Sequence, residues 1–130
     1  MKIAVTANGA DLDAPASPVF GRCPTYILVD TETMQYEAVA NPAVSAGSGA
    51  GVQAAQFVIE RGAQAVVTGN VGPNAFGVFR AAGIPVYLFR GGTVQQAVED
   101  YNGGLLSSAS DATVSAHAGL GRGMGRGRKR

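Results

Sequence analysis

The side chains able to do chemistry are few in this 130-residue chain. Cys23 is the single thiol, and Arg22 precedes it, a placement that can lower a thiol pKa. A soft metal would find Cys23 an attractive ligand, although no second ligand stands at metal-ligand spacing from it. The other reading of Cys23 is a small residue flanking a strand. His117 is the single imidazole and falls in the carboxyl-terminal segment after residue 108, outside the expected domain. Asp11 and Asp13 share a loop and Asp30 ends a strand, so no carboxylate cluster exists to clamp two metal ions for nuclease chemistry. Covalent hydrolysis lacks a base to pair with a nucleophile.

The strongest binding signal is Thr68-Gly69-Asn70-Val71-Gly72, which follows the short apolar run Ala65-Val66-Val67 and precedes Pro73. Proline is favoured at the first helical position because its missing N–H would be unpaired there anyway. A strand, a glycine-bearing loop and a helix start gather free N–H groups at the positive end of a helix dipole, which suits an anion. The alternative is a tight turn whose glycines serve geometry alone. A second glycine-bearing loop, Asn41–Gly51, leads into another helical pattern. Of the basic residues before the tail, Arg22 and Arg90 fall at strand ends, while Arg61 and Arg80 fall at exposed helical positions. Arg22 is placed to neutralise an anion at the glycine loops, or else to pair with Asp11, Asp13 or Asp30.

The elements that must position these loops follow from periodicity. Lys2–Ala7, Tyr26–Val29, Met34–Val39, Ala65–Thr68 and Val86–Phe89 read as strands; the second and third form a hairpin across Asp30-Thr31-Glu32-Thr33. Helical stripes run to about Glu60, from Pro73 to Ala82, and through Val94, Ala97, Val98 and Tyr101. Gly62 and Gly83 fall where helices end, and Thr93 with Gln96 makes a capping box. The order β-β-β-α-β-α-β-α predicts an α/β domain over residues 1–108. Right-handed crossovers give a mixed five-stranded sheet in the order 3-2-1-4-5 with three helices, the ribonuclease H-like topology. Asn8, Gly69–Pro73 and Arg90–Gly92 then line one edge, at the carboxyl ends of the parallel strands.

Composition limits the rest. Residues 122–130 hold five of the ten basic residues and no acid, so residues 1–121 carry a net −4. Any anion site in the body must be local. Residues 109–130, rich in glycine and arginine towards the end, read as a flexible tail that stays disordered when free. The tail could engage RNA or another protein by charge, and His117 and Met124 could close over a ligand from it. No stretch approaches a membrane span, the amino terminus lacks a signal-peptide pattern and one cysteine excludes an internal disulfide framework; a cytoplasmic location is the default expectation.

Taken together, several stretches resemble the dinitrogenase iron–molybdenum cofactor biosynthesis family. They are the opening Met-Lys-Ile-Ala-Val-Thr; Phe20-Gly21-Arg22-Cys23-Pro24; Asn41-Pro42; Gly49-Ala50-Gly51-Val52-Gln53-Ala54-Ala55; Val66–Phe76; and Ala82-Gly83-Ile84-Pro85-Val86-Tyr87. The resemblance covers residues 1 to about 103 and implies a ribonuclease H-like carrier or scaffold rather than an enzyme. Its ligand would be an anionic metal–sulfur cluster holding molybdenum with iron or copper, as in iron–molybdenum cofactor or the molybdenum–copper sulfide cluster of some relatives. A cluster donor or acceptor protein would be its partner. Many members carry a histidine before the glycines that open the first helix; here Val44-Ser45-Ala46-Gly47-Ser48 has none. The expected binding set is therefore Arg22, Cys23, Asn41, Gly49, Gly51, Gly69, Asn70, Gly72 and Asn74, with Cys23 as metal ligand. The competing expectations are a site for a phosphorylated metabolite or nucleotide at the same loops, and an RNA or protein adaptor acting through the tail.

Overall fold

The computed structural model describes residues 1–43, 49–110, 112 and 113. Its elements run β1 (Lys2–Ala7), β2 (Thr25–Asp30), β3 (Tyr36–Ala40), α1 (Ala50–Glu60), β4 (Ala65–Thr68), α2 (Pro73–Ala82), β5 (Val86–Leu88), α3 (Val94–Asn102) and β6 (Ser107–Ser108). The sheet order is β3-β2-β1-β4-β5-β6. β1 pairs antiparallel with β2, and β2 with β3, while β1–β4 and β4–β5 are parallel. The expected order 3-2-1-4-5 holds and gains a sixth strand. After α3, Gly104 takes φ 72° and the chain returns antiparallel along the open edge of β5. Two exposed serines carry no apolar alternation, which is why this strand does not show in the sequence.

Apolar side chains divide between the two faces of the sheet. Ala4, Tyr26, Leu28, Val66 and Val86 pack beneath α1 and α2, with Ala54, Ala55, Val58 and Phe79. Ile3, Val5, Ile27, Val29, Ala65 and Val67 pack beneath α3, with Val94, Ala97 and Val98. Covered on both faces, β1 is buried from Ile3 through Ala7, and its alternation separates two cores rather than core from solvent. Thr6 sits there because its hydroxyl lies 2.8 Å from the Ser17 carbonyl and 3.1 Å from the Thr68 hydroxyl. The third strand starts later than the sequence suggests. Asp30 accepts from the N–H groups of Glu32 and Thr33, and Met34 takes φ 63° inside that turn instead of opening the strand.

Helix boundaries follow their local chemistry. Pro73 opens α2 and Gly83, at φ 72°, closes it. Gly62, at φ 91°, follows the end of α1. Both halves of the Thr93–Gln96 capping box form at α3. Among the described residues, no helix is long and apolar enough to cross a membrane.

Two glycines give opposite forecasts from the same substitution. A Cβ on Gly69 would lie 2.6 Å from the Pro18 carbonyl oxygen, and both partners are backbone. Gly69→Ala should therefore destabilise by about 1–3 kcal/mol, the usual cost of overpacking. Gly77 is exposed within α2 with open space around it, so Gly77→Ala should stabilise by roughly 1 kcal/mol. Urea denaturation midpoints of the two variants check both signs.

Candidate functional site

The carboxyl ends of β1, β3 and β4 share one edge of the sheet, and the starts of α1 and α2 lie there on one face. A Cβ on Gly51 would sit 3.4 Å from the Ala75 Cβ, so the first turns of the two helices are in contact. A Cβ on Gly21 would meet the Gly51 Cα at 3.3 Å, which lays the 20–23 loop across the first turn of α1. Gly21 itself takes φ 93°, a conformation glycine adopts without a Cβ penalty. Three backbone segments thus converge where a side chain would hold them apart.

Among the described residues, no side chain caps either helix. The N-caps are Gly49 and Gly72, and no acidic residue occupies either first turn. Gln53 and Phe76 donate to the N-cap carbonyls at 3.0 Å, so intrahelical bonding begins there. The N–H groups of Ala50, Gly51, Val52, Asn74 and Ala75 precede it, and none has an acceptor among the described residues. Five donors and two helix dipoles therefore face one region. Arg22 is exposed at the tip of the adjoining loop. Among the described residues the one ion pair is Arg61–Glu37 at 3.5 Å, so Arg22 is not engaged by Asp11, Asp13 or Asp30. Asn74 is exposed, and its side chain has no hydrogen-bond partner among the described residues.

The remaining members of the expected set stand behind this surface. Asn41 is 4% exposed; its Nδ2 donates to the carbonyls of Gly21 (3.1 Å) and Cys23 (2.8 Å), and its Oδ1 accepts from the Ala43 N–H (2.9 Å). Both side-chain polar atoms are engaged, and the amide nitrogen holds the 21–23 loop. Gly69 admits Pro18, and Asn70 accepts the Phe20 N–H at 3.0 Å and donates through Nδ2 to the Pro18 carbonyl at 3.3 Å. Gly72 has φ −81° and ψ 171°, which any residue adopts. What glycine contributes there is the lack of a capping side chain.

Cys23 is 1% exposed, facing the core beneath α1 and α2. Burial pushes its thiol pKa up; hydrogen bonding to the Tyr26 hydroxyl and to backbone at Ala7, Cys23 and Thr25 offsets this only in part. The direction is opposite to a lowering by Arg22: burial dominates, and the exposed Arg22 is not among the groups that offset it.

Three features of the site have no clear signal in the sequence. The Tyr26 hydroxyl accepts the Gly21 N–H at 3.2 Å from inside an apolar strand. Phe20 packs against Tyr26 and Phe79 with ring centroids 5.3 and 5.1 Å apart, fixing the start of the loop between β2 and α2. The chain after β6 also returns to this region. Ala109 N–H donates to the Val86 carbonyl (2.7 Å), Arg80 to the Ser110 carbonyl (3.1 Å) and Thr113 N–H to the Val71 carbonyl (2.8 Å), while Val71 N–H donates to the Thr113 hydroxyl (2.7 Å). These contacts fall just past residue 108, where the sequence places the start of a tail. His117, Met124 and the basic run, with their expected roles, lie outside the described residues, as do residues 44–48.

The family model described as dinitrogenase iron-molybdenum cofactor matches residues 1–104. The apo form of the orange protein from Desulfovibrio gigas is similar in structure with a TM-score of 0.83 at 40% identity, over 86% of this chain and 95% of that one. A Thermotoga protein solved by NMR gives a TM-score of 0.73 at 36% identity, over 82% and 91%. An uncharacterised protein of Methanocaldococcus jannaschii is 30% identical over 109 residues, 82% of this chain and 89% of its own length. With residues 1–104 matched by that model, the chain belongs to the dinitrogenase iron–molybdenum cofactor family, whose membership implies binding of a metal cluster.

Proposed function

We propose that this protein binds and carries an anionic metal–sulfur cluster, of molybdenum with iron or copper, without catalysing a reaction on it. The cluster is cargo, held at the paired starts of α1 and α2 beside Arg22. The observation that carries the reading is the juxtaposition of two uncapped helix N-termini. A sulfide-coated cluster spreads several negative charges over a large surface, so many modest N–H donors suit it better than one strong ligand. The site supplies such donors and no first-turn carboxylate to repel the charge. Cys23 lies behind the loop, so ligation by its sulfur requires the 20–23 loop to open. A phosphorylated metabolite would use the same donors and is the competing occupant in the tests below. A protein that donates or accepts the cluster is the partner this function calls for.

Anaerobic titration of the protein with a synthetic thiomolybdate–copper cluster, followed by visible absorbance, tests the reading. Gly72→Asp is the most pointed variant. An aspartate N-cap would accept the first-turn N–H groups of α2 and stabilise the fold by a few tenths of a kcal/mol. The same carboxylate should abolish cluster uptake. Uptake at the wild-type level alongside a raised melting temperature would reduce the loop to a turn. Preferential uptake of a phosphorylated metabolite would transfer the site to that ligand class.

Arg22→Ala should weaken cluster binding roughly tenfold or more, the loss of a contact worth about 1.5–3 kcal/mol. Arg61→Ala should not, because Arg61 pairs with Glu37 and lies over the Phe57 ring. Equal effects in the same titration would remove Arg22 from the site.

Cys23→Ser should retain the cluster, and the native Cys23 thiol should react slowly with iodoacetamide at neutral pH. A raised pKa keeps the thiol protonated there, so labelling should quicken as pH rises and become fast in urea. Loss of the cluster in Cys23→Ser with the fold intact would make sulfur ligation the basis of binding.

A further inference from the structure

A small cavity of about 120 Å³ lies on the other side of the Pro18–Gly69 contact, towards α3. Its wall includes Ser17, Pro18, Asn70, Phe89, Arg90 and Gly91. Phe89 belongs to the core beneath α3, which separates this cavity from the α1 and α2 starts on the opposite face. The volume equals that of about four liquid waters, room for one small ion.

Two side chains without a protein partner among the described residues line this cavity. Ser17 is 6% exposed; its N–H donates to the Thr6 carbonyl, and its own carbonyl accepts from the Thr6 hydroxyl. Its side-chain hydroxyl has no partner among the described residues. A buried hydroxyl without a partner is costly, and in native proteins it calls for a water, an ion or a ligand. Arg90 is exposed, and its guanidinium has neither an ion pair nor a hydrogen bond among the described residues. Among the described residues, no aspartate or glutamate lines the cavity. The Pro18 carbonyl on its wall is already turned to Asn70 Nδ2. Consecutive Gly91 and Gly92, at φ 150° and 128°, fix the backbone that follows Arg90.

We propose that this cavity is a second binding site, for one small tetrahedral oxyanion, with the Ser17 hydroxyl donating from within and the Arg90 guanidinium closing over the mouth. A hydroxyl donor combined with an unpaired planar guanidinium recognises a phosphate-type oxyanion rather than a halide, because the fork of N–H groups matches two oxygens of one ligand. The cavity shares Gly69 and Asn70 with the layer behind the cluster surface, but its two proposed donors, Ser17 and Arg90, are not among the residues assigned to that surface.

The test uses the full chain at fixed ionic strength, with sodium phosphate and sodium molybdate as separate ligands and chloride as the control, read by calorimetry and by melting temperature. One or both oxyanions should bind saturably and raise the melting temperature above the chloride control, and the preferred arm names the ion. Arg90→Ala should weaken that binding roughly tenfold or more, as for other charge-assisted contacts. Ser17→Ala should also weaken it, while the ligand-free variant melts no lower than wild type because an unpartnered hydroxyl has been removed. Arg22→Ala should leave it unchanged. The proposal is overturned if neither oxyanion binds above the chloride control, if both cavity variants bind like wild type, or if Arg22→Ala abolishes binding while Arg90→Ala does not.

Discussion

Two helices begin side by side, and among the described residues no acceptor meets their first-turn N–H groups. Unpaired N–H donors and parallel dipoles at close quarters raise the local positive potential, a cost that a bound anion relieves. The arrangement persists because small residues let the backbones meet: Gly51 against Ala75 and Gly21 against Gly51. Much of the surrounding structure serves this convergence. β1 and β4 aim their carboxyl ends at it, the buried faces of α1 and α2 fix their axes, and Phe20, Tyr26 and Asn41 hold the loop that carries Arg22. In a body with net charge −4, the proposed anion site is thus local and needs no basic patch.

Burial and hydrogen bonding divide the glycine-loop residues into two groups. Gly49, Gly51, Gly72, Arg22 and Asn74 belong to the surface that a ligand would meet. Asn41, Gly69, Asn70 and Cys23 belong to the layer that shapes it. The distinction bears on mutagenesis, because damage to the second group changes the position of the first. The carboxyl-terminal chain adds a third element: Thr113 exchanges hydrogen bonds with Val71, one residue before the N-cap of α2. This tie fixes the segment between Asn70 and Gly72 from outside the sheet.

The fold was largely legible because its signals are local. Pro73 and Gly83 bracket α2, Thr93 and Gln96 cap α3, and apolar runs mark the central strands within a residue or so. What escaped depends on distant partners. β6 exists because β5 offers an open edge, not because two serines favour a strand. Gly69 reads as a ligand-loop glycine, but the group approaching it is Pro18, 51 positions earlier. Cys23 reads either as activated by Arg22 or as a small residue flanking a strand, and its environment is set by Tyr26 and the helices above it. The candidate site was legible as a set of loops; which residues face a ligand and which brace the loops was not, since both kinds are glycine and asparagine.

Backbone amide shifts on binding give the most direct test of the central claim. In a proton–nitrogen NMR titration with the thiomolybdate–copper cluster, the account predicts the largest changes at the N–H groups of Ala50, Gly51, Val52, Asn74 and Ala75. Amides at the far ends of the same helices, such as Glu60 and Ala82, should stay nearly fixed. Changes centred elsewhere, with those five first-turn amides unmoved at saturation, would contradict it.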